Sequence, residues 1–244
     1  MKIINLIEDV PYQVKGCILQ LARAHAPKFV GAAIGADSPL LALAEAEVHE
    51  LLGDALVSID HPQTIQIGTR EFLTAAGVII AIDETKNDGV FAGFLQYKAR
   101  LPLSDSASIG YAAVSDSYTG LGVFKSMLNE LRSKYPALGL DCTMDLVPMY
   151  EKLGFYVSCQ QGVHVAMCTA PLSGKSWLRE QQYLEQTKAV KEAKQRIQEA
   201  LGNKTRDTYA RRDSDTALLT EQVREFVRAR MAVKASPSVP LARS

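Results

Sequence analysis

A regular alternation of short apolar strands with amphipathic helices between residues 77 and 169 constrains the fold of this chain most strongly. Such an alternation is typical of an α/β domain, in which helices cover the faces of a central sheet. Asn87, Asp88 and Gly89 predict the turn of a hairpin within it. The predicted strands cover 77–83, 90–99, 107–114, 138–143, 155–159 and 163–169. One predicted helix begins at Gly120, and a second, short helix covers 147–153.

The first 76 residues add one strand and two helices to this pattern. Residues 54–76 show no clear periodicity. Together the segments predict the order β-α-α-β-β-β-α-β-α-β-β, without an internal repeat. The predictions are a strand at 3–7, a helix capped by Asp9 with Pro11 in its first turn, and a second helix that opens at Ser38 and Pro39 and ends near Gly53.

Composition excludes several classes of protein. With 47% hydrophobic and 22% charged residues, the chain has the balance of a globular domain, and its apolar runs fall short of the roughly 20 residues that span a membrane. The residues after Met1 lack the basic and apolar regions of a secretory signal, so we expect a cytoplasmic protein. Four scattered cysteines predict neither a disulfide framework nor a zinc site.

The charge distribution separates a C-terminal segment from the rest. Residues 173–244 carry a formal charge of +6, whereas residues 1–172 carry −6. We predict an α/β domain over 1–172 and a helical extension over 173–244 with a disordered end from residue 234. The extension is predicted as two helices separated by a polar break at 203–216; its apolar residues are Trp177, Leu184, Val190, Ile197 and Leu201, then Leu218, Leu219, Val223, Phe226, Val227 and Met231.

The apolar stripe of this extension must be buried somewhere. It can lie against the domain, against its own second helix or against another chain, and we expect oligomerisation or a protein partner. Nucleic acid is a weaker expectation, because the basic residues alternate with acidic ones at helical spacing, as on a solvated helix face.

The glycine-containing turn before the third predicted helix is a candidate anion site. Gly120 and Gly122 lie between a strand and a helix, where backbone N–H groups and the helix dipole favour an anionic ligand. A turn with nothing bound is the alternative for two glycines taken alone.

A second motif follows at 150–155, with the sequence Tyr-Glu-Lys-Leu-Gly-Phe. Gly154 fits the position that ends a helix, and Phe155 re-enters the sheet. Tyr150 therefore lies one turn before the helix end and is predicted to be ordered beside the sheet.

Together with Leu-Asp-Cys-Thr at 140–143, these motifs resemble the GNAT superfamily of acyltransferases over about residues 1–170. The resemblance implies a mixed central sheet flanked by helices. It also implies acetyl-coenzyme A as co-substrate, bound where two parallel strands splay, with its pantetheine along 111–114 and its diphosphate on the loop amides. The implied cofactor-binding residues are Ala113, Val114, Thr119, Gly120, Leu121, Gly122, Val123 and Phe124.

The loop departs from the family pattern [RQ]-x-x-G-x-[GA] at two positions. Aligned on Gly122, it has Thr119 in place of Arg or Gln and Phe124 in place of the last small residue. A second register begins at Ser117 and uses Gly120 and Gly122 as the two small residues, but it does not supply the Arg.

The resemblance implies direct attack of a primary amine on the thioester, with Tyr150 as the acid for the leaving thiolate and a backbone N–H near Ala113 or Val114 for the oxyanion. Asp83, Glu84, Asp116 or a water molecule are candidate bases. The acceptor is the amine of a small molecule or of a protein.

A catalytically silent assembly module of the same fold, contacting partners through its C-terminal helices, is the alternative. We assign no chemistry to three further residues: His49 is expected on a solvated helix face, His164 packed in a strand and Cys142 buried.

Overall fold

The computed structural model describes residues 1–30, 34–86, 89–103, 105–177 and 181–235. In these ranges no helix combines the length and the apolarity needed to cross a membrane. The strands are β1 (Lys2–Leu6), β2 (Thr64–Ile67), β3 (Arg70–Leu73), β4 (Ala76–Asp83), β5 (Val90–Ala99), β6 (Ser106–Val114), β7 (Ala137–Cys142), β8 (Tyr156–Gln161) and β9 (His164–Cys168). The helices are α1 (Tyr12–Ala24), α2 (Ala26–Phe29), α3 (Leu41–Asp60), α4 (Val123–Arg132), α5 (Val147–Lys152), α6 (Gln181–Gln186), α7 (Lys188–Leu201) and α8 (Thr205–Ala235).

Seven strands form one mixed sheet in the order β1-β4-β5-β6-β7-β9-β8, and β2 pairs with β3 in a separate hairpin. Of the described strand pairs, β6 with β7 is the parallel one, and it joins only Ser106 to Ala137, Ala107 to Leu138 and Ser108 to Gly139. The helix α4 makes the crossover between these two strands, as a parallel connection requires.

Helices cover both faces of the sheet. Helices α4 and α5 and the second half of α8 pack on one face, around Met127, Val147, Leu128 and Val223. Helices α1 and α3 pack on the other face, over β4, β5 and β6, and helices α2 and α7 pack against α3. On this second face, neither α1 nor α3 covers β7 and β9. The site described below lies at that uncovered part of the sheet.

The N-terminal predictions are right in type but wrong in detail. Asp9 does not cap α1: it has a positive φ of 50°, and the capping position belongs to Pro11, which fixes φ near the helical value. Helix α3 begins at Leu41 and runs through Gly53 to Asp60. Burial of Leu52, Leu56 and Ile59 on its inner face outweighs the cost of about 1 kcal/mol for a helical glycine.

The segment without clear periodicity contains the end of α3 and the hairpin β2–β3, which the predicted element order omits. The predicted hairpin turn at Asn87 and Asp88 lies outside the described residues.

The C-terminal extension folds back onto the domain. Val190 and Ile197 of α7 are buried in the cluster that also contains Leu43 and Leu52 of α3. The predicted break at 203–216 is wrong, because α8 begins at Thr205 and continues through this segment; the whole helix has 31 residues. The Thr208 and Ser214 hydroxyls donate hydrogen bonds to backbone carbonyls four residues earlier. These polar side chains therefore find hydrogen-bond partners within the helix and do not interrupt it. The disordered end predicted from residue 234 begins too early, because α8 continues to Ala235. The rest of that prediction, from residue 236 onward, lies outside the described residues.

Candidate active site

The splay of β6 from β7 creates a large cavity. Beyond the pair Ser108 and Gly139, the register of the two strands stops, although β6 continues to Val114 and β7 to Cys142. A cavity of about 1240 Å³ occupies the space between them and is lined by residues of both strands. The unpaired edge of β6 at 109–114 therefore offers backbone groups to an extended ligand.

A β-bulge at Gly110 accompanies the splay. In the pairing of β5 with β6, Gln96 faces Tyr111 and Tyr97 faces Ile109, which leaves Gly110 as an extra residue on β6. A Cβ on Gly110 would lie 2.4 Å from Oε1 of the buried Gln96, so a side chain at this position would displace the Gln96 amide. Sequence reasoning missed this bulge, since a single glycine within a strand only hints at one.

The glycine turn presents its backbone to one end of the cavity. Gly120 and Gly122 have φ of 80° and 77°, which is left-handed backbone that glycine adopts without strain. A Cβ on either residue would meet no atom within 4 Å, so the space over the turn is open. Helix α4 begins at Val123 without a side-chain cap, and its first amides are left for a ligand.

Side-chain contacts hold this turn against the sheet. The Tyr118 hydroxyl donates a 3.0 Å hydrogen bond to Oδ2 of Asp83 at the end of β4. The other oxygen of Asp83, Oδ1, accepts bonds from the amide and the hydroxyl of Thr85, and these bonds hold the pKa of Asp83 below its usual range. Asp83, a candidate base in the sequence, therefore acts as an anchor for the loop.

Two lysines supply positive charge to this cavity, although Thr119 itself is uncharged. Lys125 in the first turn of α4 and Lys28 of α2 both line the cavity. His25 lies beside Lys28, and burial followed by the Lys28 charge lowers its pKa. The two lysines are suited to an anionic ligand at this end, and sequence reasoning did not find Lys28 because α2 is far away along the chain.

All but one of the predicted cofactor-binding residues line the cavity. Thr119, Gly120, Gly122, Val123 and Phe124 line the cavity, as do Ala113 and Val114 of β6. The side chain of Leu121 is 69% exposed and points to solvent, so that only its backbone remains for a ligand.

Phe124 packs against Tyr150 rather than filling the turn. Their ring centroids lie 5.8 Å apart, and Tyr150 in turn lies 5.7 Å from Phe155, with both ring pairs edge-on. The Tyr150 hydroxyl has no hydrogen-bond partner among the described residues, and its ring lines the cavity. Burial, followed by proximity to Cys142, raises the Tyr150 pKa well above its usual range, so the phenol keeps its proton.

The short helix that carries Tyr150 is fixed by the C-terminal extension. Nη1 of Arg230 on α8 lies 3.0 Å from both carboxylate oxygens of Glu151. Gln160 of β8 donates to the carbonyl of Thr220, and Val223 is fully buried in the same core. The extension therefore supports the wall of the cavity in which Tyr150 lies.

Polar residues line the opposite end of the cavity. Asp141 of β7 faces Ala166 of β9, so His164, two residues along β9, projects from the same face of the sheet. Both side chains line the cavity, as do Lys98 and Arg100 at the end of β5. Burial raises the pKa of Asp141, against the opposing effect of Arg100, and burial lowers the pKa of His164.

The remaining candidates from the sequence are less well placed for proton transfer. Glu84 is exposed and pairs with Lys2 at 3.0 Å, and Asp116 lines the cavity near the glycine turn. Cys142 is buried with Sγ 3.6 Å from Sδ of Met167, and burial raises its pKa to about 12, which leaves an unreactive thiol. His49 is exposed on α3.

Comparison with known proteins finds likeness only among solved structures. No family model matches the sequence, and no curated protein matches it significantly. An acyl-CoA N-acyltransferase from Pseudomonas aeruginosa aligns at 14% identity and TM-score 0.45, over 70% of this chain and 100% of its own. An aminoglycoside 6'-N-acetyltransferase complexed with coenzyme A aligns at 14% identity and TM-score 0.43, over 71% of this chain and 99% of its own.

A third structure, of a histone acetyltransferase HPA2 and related acetyltransferase from Corynebacterium glutamicum, aligns at 17% identity and TM-score 0.44, over 72% of this chain and 100% of its own. The seven-stranded mixed sheet, the parallel pair β6–β7 and the flanking helices confirm the α/β fold with a mixed central sheet flanked by helices that the sequence predicts.

The close approach of β5 to β6 gives a test of the cavity wall. A Cβ on Gly93 would lie 2.7 Å from the carbonyl oxygen of Ala113 and 3.1 Å from Cα of Val114, both backbone atoms. We expect Gly93→Ala to displace 113–114, to lower the free energy of unfolding by about 1–3 kcal/mol and to weaken coenzyme A binding. Urea denaturation and calorimetric titration measure the two effects.

Gly16→Ala is the matched control, because Gly16 lies within α1 and a Cβ there would meet no atom within 4 Å. It should raise the free energy of unfolding by roughly 0.5–1 kcal/mol and leave coenzyme A binding unchanged. Equal effects of the two substitutions on binding would show that the strand 113–114 does not contact the ligand.

Proposed function

We propose that this protein is an N-acetyltransferase that moves an acetyl group from acetyl-coenzyme A to a primary amine by direct attack. The observation that carries the proposal is the single cavity between the splayed ends of β6 and β7. It joins an open amide turn, a protonated phenol and a group of titratable side chains, which are the three parts that such a reaction needs.

The turn end of the cavity is suited to the diphosphate. The amides of Gly120, Gly122, Val123 and Phe124 surround open space at a helix N-terminus, and Lys28 and Lys125 add positive charge. The free edge of β6 at Ala113 and Val114 would pair with the pantetheine and supply an N–H to the oxyanion. The co-substrate contributes an activated acetyl thioester at the apex of the splay.

Two proton transfers complete the reaction, one from the attacking amine and one to the leaving thiolate. The groups proposed for them lie on opposite faces of the sheet. Asp141, with His164 beside it, would accept the proton that the amine loses as its nitrogen bonds to the acetyl carbon. Tyr150 would donate its phenolic proton to the sulfur as the carbon–sulfur bond breaks. Burial keeps Tyr150 protonated and raises the pKa of Asp141 above its ordinary value, so both groups start in the required protonation state at any pH above the Asp141 pKa.

A second candidate function is supported by the two departures in the loop. Thr119 removes a polar arm near the phosphates, and Phe124 places a ring where the family has a small residue. A silent GNAT-fold module would then use the C-terminal helices for oligomerisation or for a protein partner. The apolar stripe of α7 is already buried within the chain, so such a contact rests on Leu218 and Met231 of α8, which are 62% and 48% exposed.

Tyr150→Phe tests the enzymatic proposal. Loss of the phenolic proton should lower kcat by about 10²–10⁴-fold while KM for acetyl-coenzyme A changes little, because the ring contacts with Phe124 and Phe155 are retained. Release of free thiol in steady-state assays measures both constants. Tyr135→Phe is the control, since Tyr135 is half-buried against Tyr97 outside the cavity lining; full turnover by Tyr150→Phe would refute the acid assignment.

The base assignment gives a prediction in pH. Burial raises the pKa of Asp141 in the folded protein, so kcat/KM should rise with pH through that raised pKa as the carboxylate forms. The same shift means that the folded state loses stability as pH rises through it, since the unfolded state ionises more easily. Asp141→Asn should therefore lower kcat, abolish this acid limb and raise the melting temperature at pH 7.

Asp145→Asn is the matched control, because Asp145 follows Asp141 closely along the chain but lies outside the cavity lining. It should change neither the pH profile nor the melting temperature. An unchanged acid limb in Asp141→Asn would transfer the base role to His164 or to water.

A further inference from the structure

Arg100, which directly follows β5, lines the cavity and forms no ion pair with any residue that the structure describes. Its Nε and Nη2 donate to the carbonyls of Ser173 and Gly174 at 2.9 and 2.8 Å, and its Nη1 donates to Oγ of Ser108 at 3.1 Å. Within the described part of the chain, no carboxylate lies within 4 Å of this guanidinium. Three of its five N–H groups are used, which leaves two for a ligand.

These bonds fix the guanidinium in place. The segment that supplies the two carbonyls is tied to the sheet, because the backbones of Leu101 and Lys175 exchange hydrogen bonds of 3.0 and 2.7 Å. Ser173 is further bonded to Asp105 and to Ser106. Arg100 is thus held before any ligand arrives, so little side-chain entropy is lost on binding.

Charged side chains of both signs line the same cavity as Arg100. Lys98, which lies over the Trp177 ring at 4.1 Å, and Lys175 are among the basic ones, and Asp54 and Asp141 are among the acidic ones. A partly buried guanidinium is costly unless an anion completes its environment. The carbonyls of Ser173 and Gly174 offset only part of that cost, so this end of the cavity favours a ligand with negative charge.

We propose that the acceptor is a small amine that carries its own anionic group, a carboxylate or a phosphate, and that Arg100 binds this group while the amine lies at Asp141. The inference rests on the proposed acetyl transfer. Arg100 and Asp141 line the same cavity, so one molecule bound there can contact both groups. A carboxylate or phosphate presents the paired oxygens that the two remaining N–H groups of Arg100 fit.

Matched pairs of amines test the proposal. Glycine, β-alanine and 4-aminobutyrate are each compared with the corresponding carboxamide, and O-phosphoethanolamine is compared with ethanolamine. The full chain should give kcat/KM about 10- to 100-fold higher for the anionic member of at least one pair, as expected for hydrogen bonds to a charged group. The pair with the larger preference identifies a carboxylate or a phosphate as the bound group.

Variants of Arg100 separate recognition from structure. Arg100→Gln should reduce the ratio of kcat/KM between the anionic and the neutral member of a pair to about one, and Arg100→Lys should retain part of the preference. Arg224→Gln, an exposed arginine paired with Glu221 on α8, is the control and should retain all of it. A purely structural role would lower the rates for both members of a pair equally, which would overturn the proposal.

Failure of the inference is distinct from failure of the proposed function. Acetylation of the neutral amines at rates equal to the anionic ones would overturn the role of Arg100 and leave acetyl transfer standing. Absence of acetylation for every amine, together with absence of coenzyme A binding, would overturn both.

Discussion

The functional arrangement of this protein depends on the point where the parallel pairing of β6 and β7 stops. Three residue pairs join the strands, and beyond Ser108 and Gly139 the chains diverge around the bulge at Gly110. A buried Gln96 occupies the space that a side chain on Gly110 would need. A continuous pairing would fill the cavity with strand-to-strand hydrogen bonds, so local disruption of the sheet is what provides a ligand with backbone partners.

This divergence also separates the proposed acid from the proposed base. Tyr150 lies on the face covered by α4 and α5, within an aromatic row from Phe124 to Phe155, where burial keeps it protonated. Asp141 and His164 project from the opposite face, where polar groups and basic side chains line the cavity. The extension supports the first of these faces through Arg230 and Glu151, so a segment that differs in charge from the domain still belongs to its core.

The sequence predicted the features that depend on local pattern. The strand at 90–99 and the helix carrying Tyr150 were predicted almost to the residue, because alternation and a terminal glycine are local signals. Asp141 and Arg100 were not found, since their roles depend on which strands become neighbours in the sheet. The helix through 203–216 was missed because its side chains are mostly polar, and a polar segment is read as a break. Its hydroxyls bond to the preceding helical turn, and the helix is anchored further along by the buried Val223 and Val227, neither of which the sequence pattern shows.

The central claim is that the amides at the start of α4 and the open turn before it bind a diphosphate. Calorimetric titration of the full chain with coenzyme A, and in parallel with pantetheine, which lacks the diphosphate, tests it most directly. The structure predicts saturable binding of one coenzyme A per chain and binding of pantetheine that is weaker by tenfold or more. Absence of heat at millimolar coenzyme A, or equal affinity for the two ligands, would contradict the account.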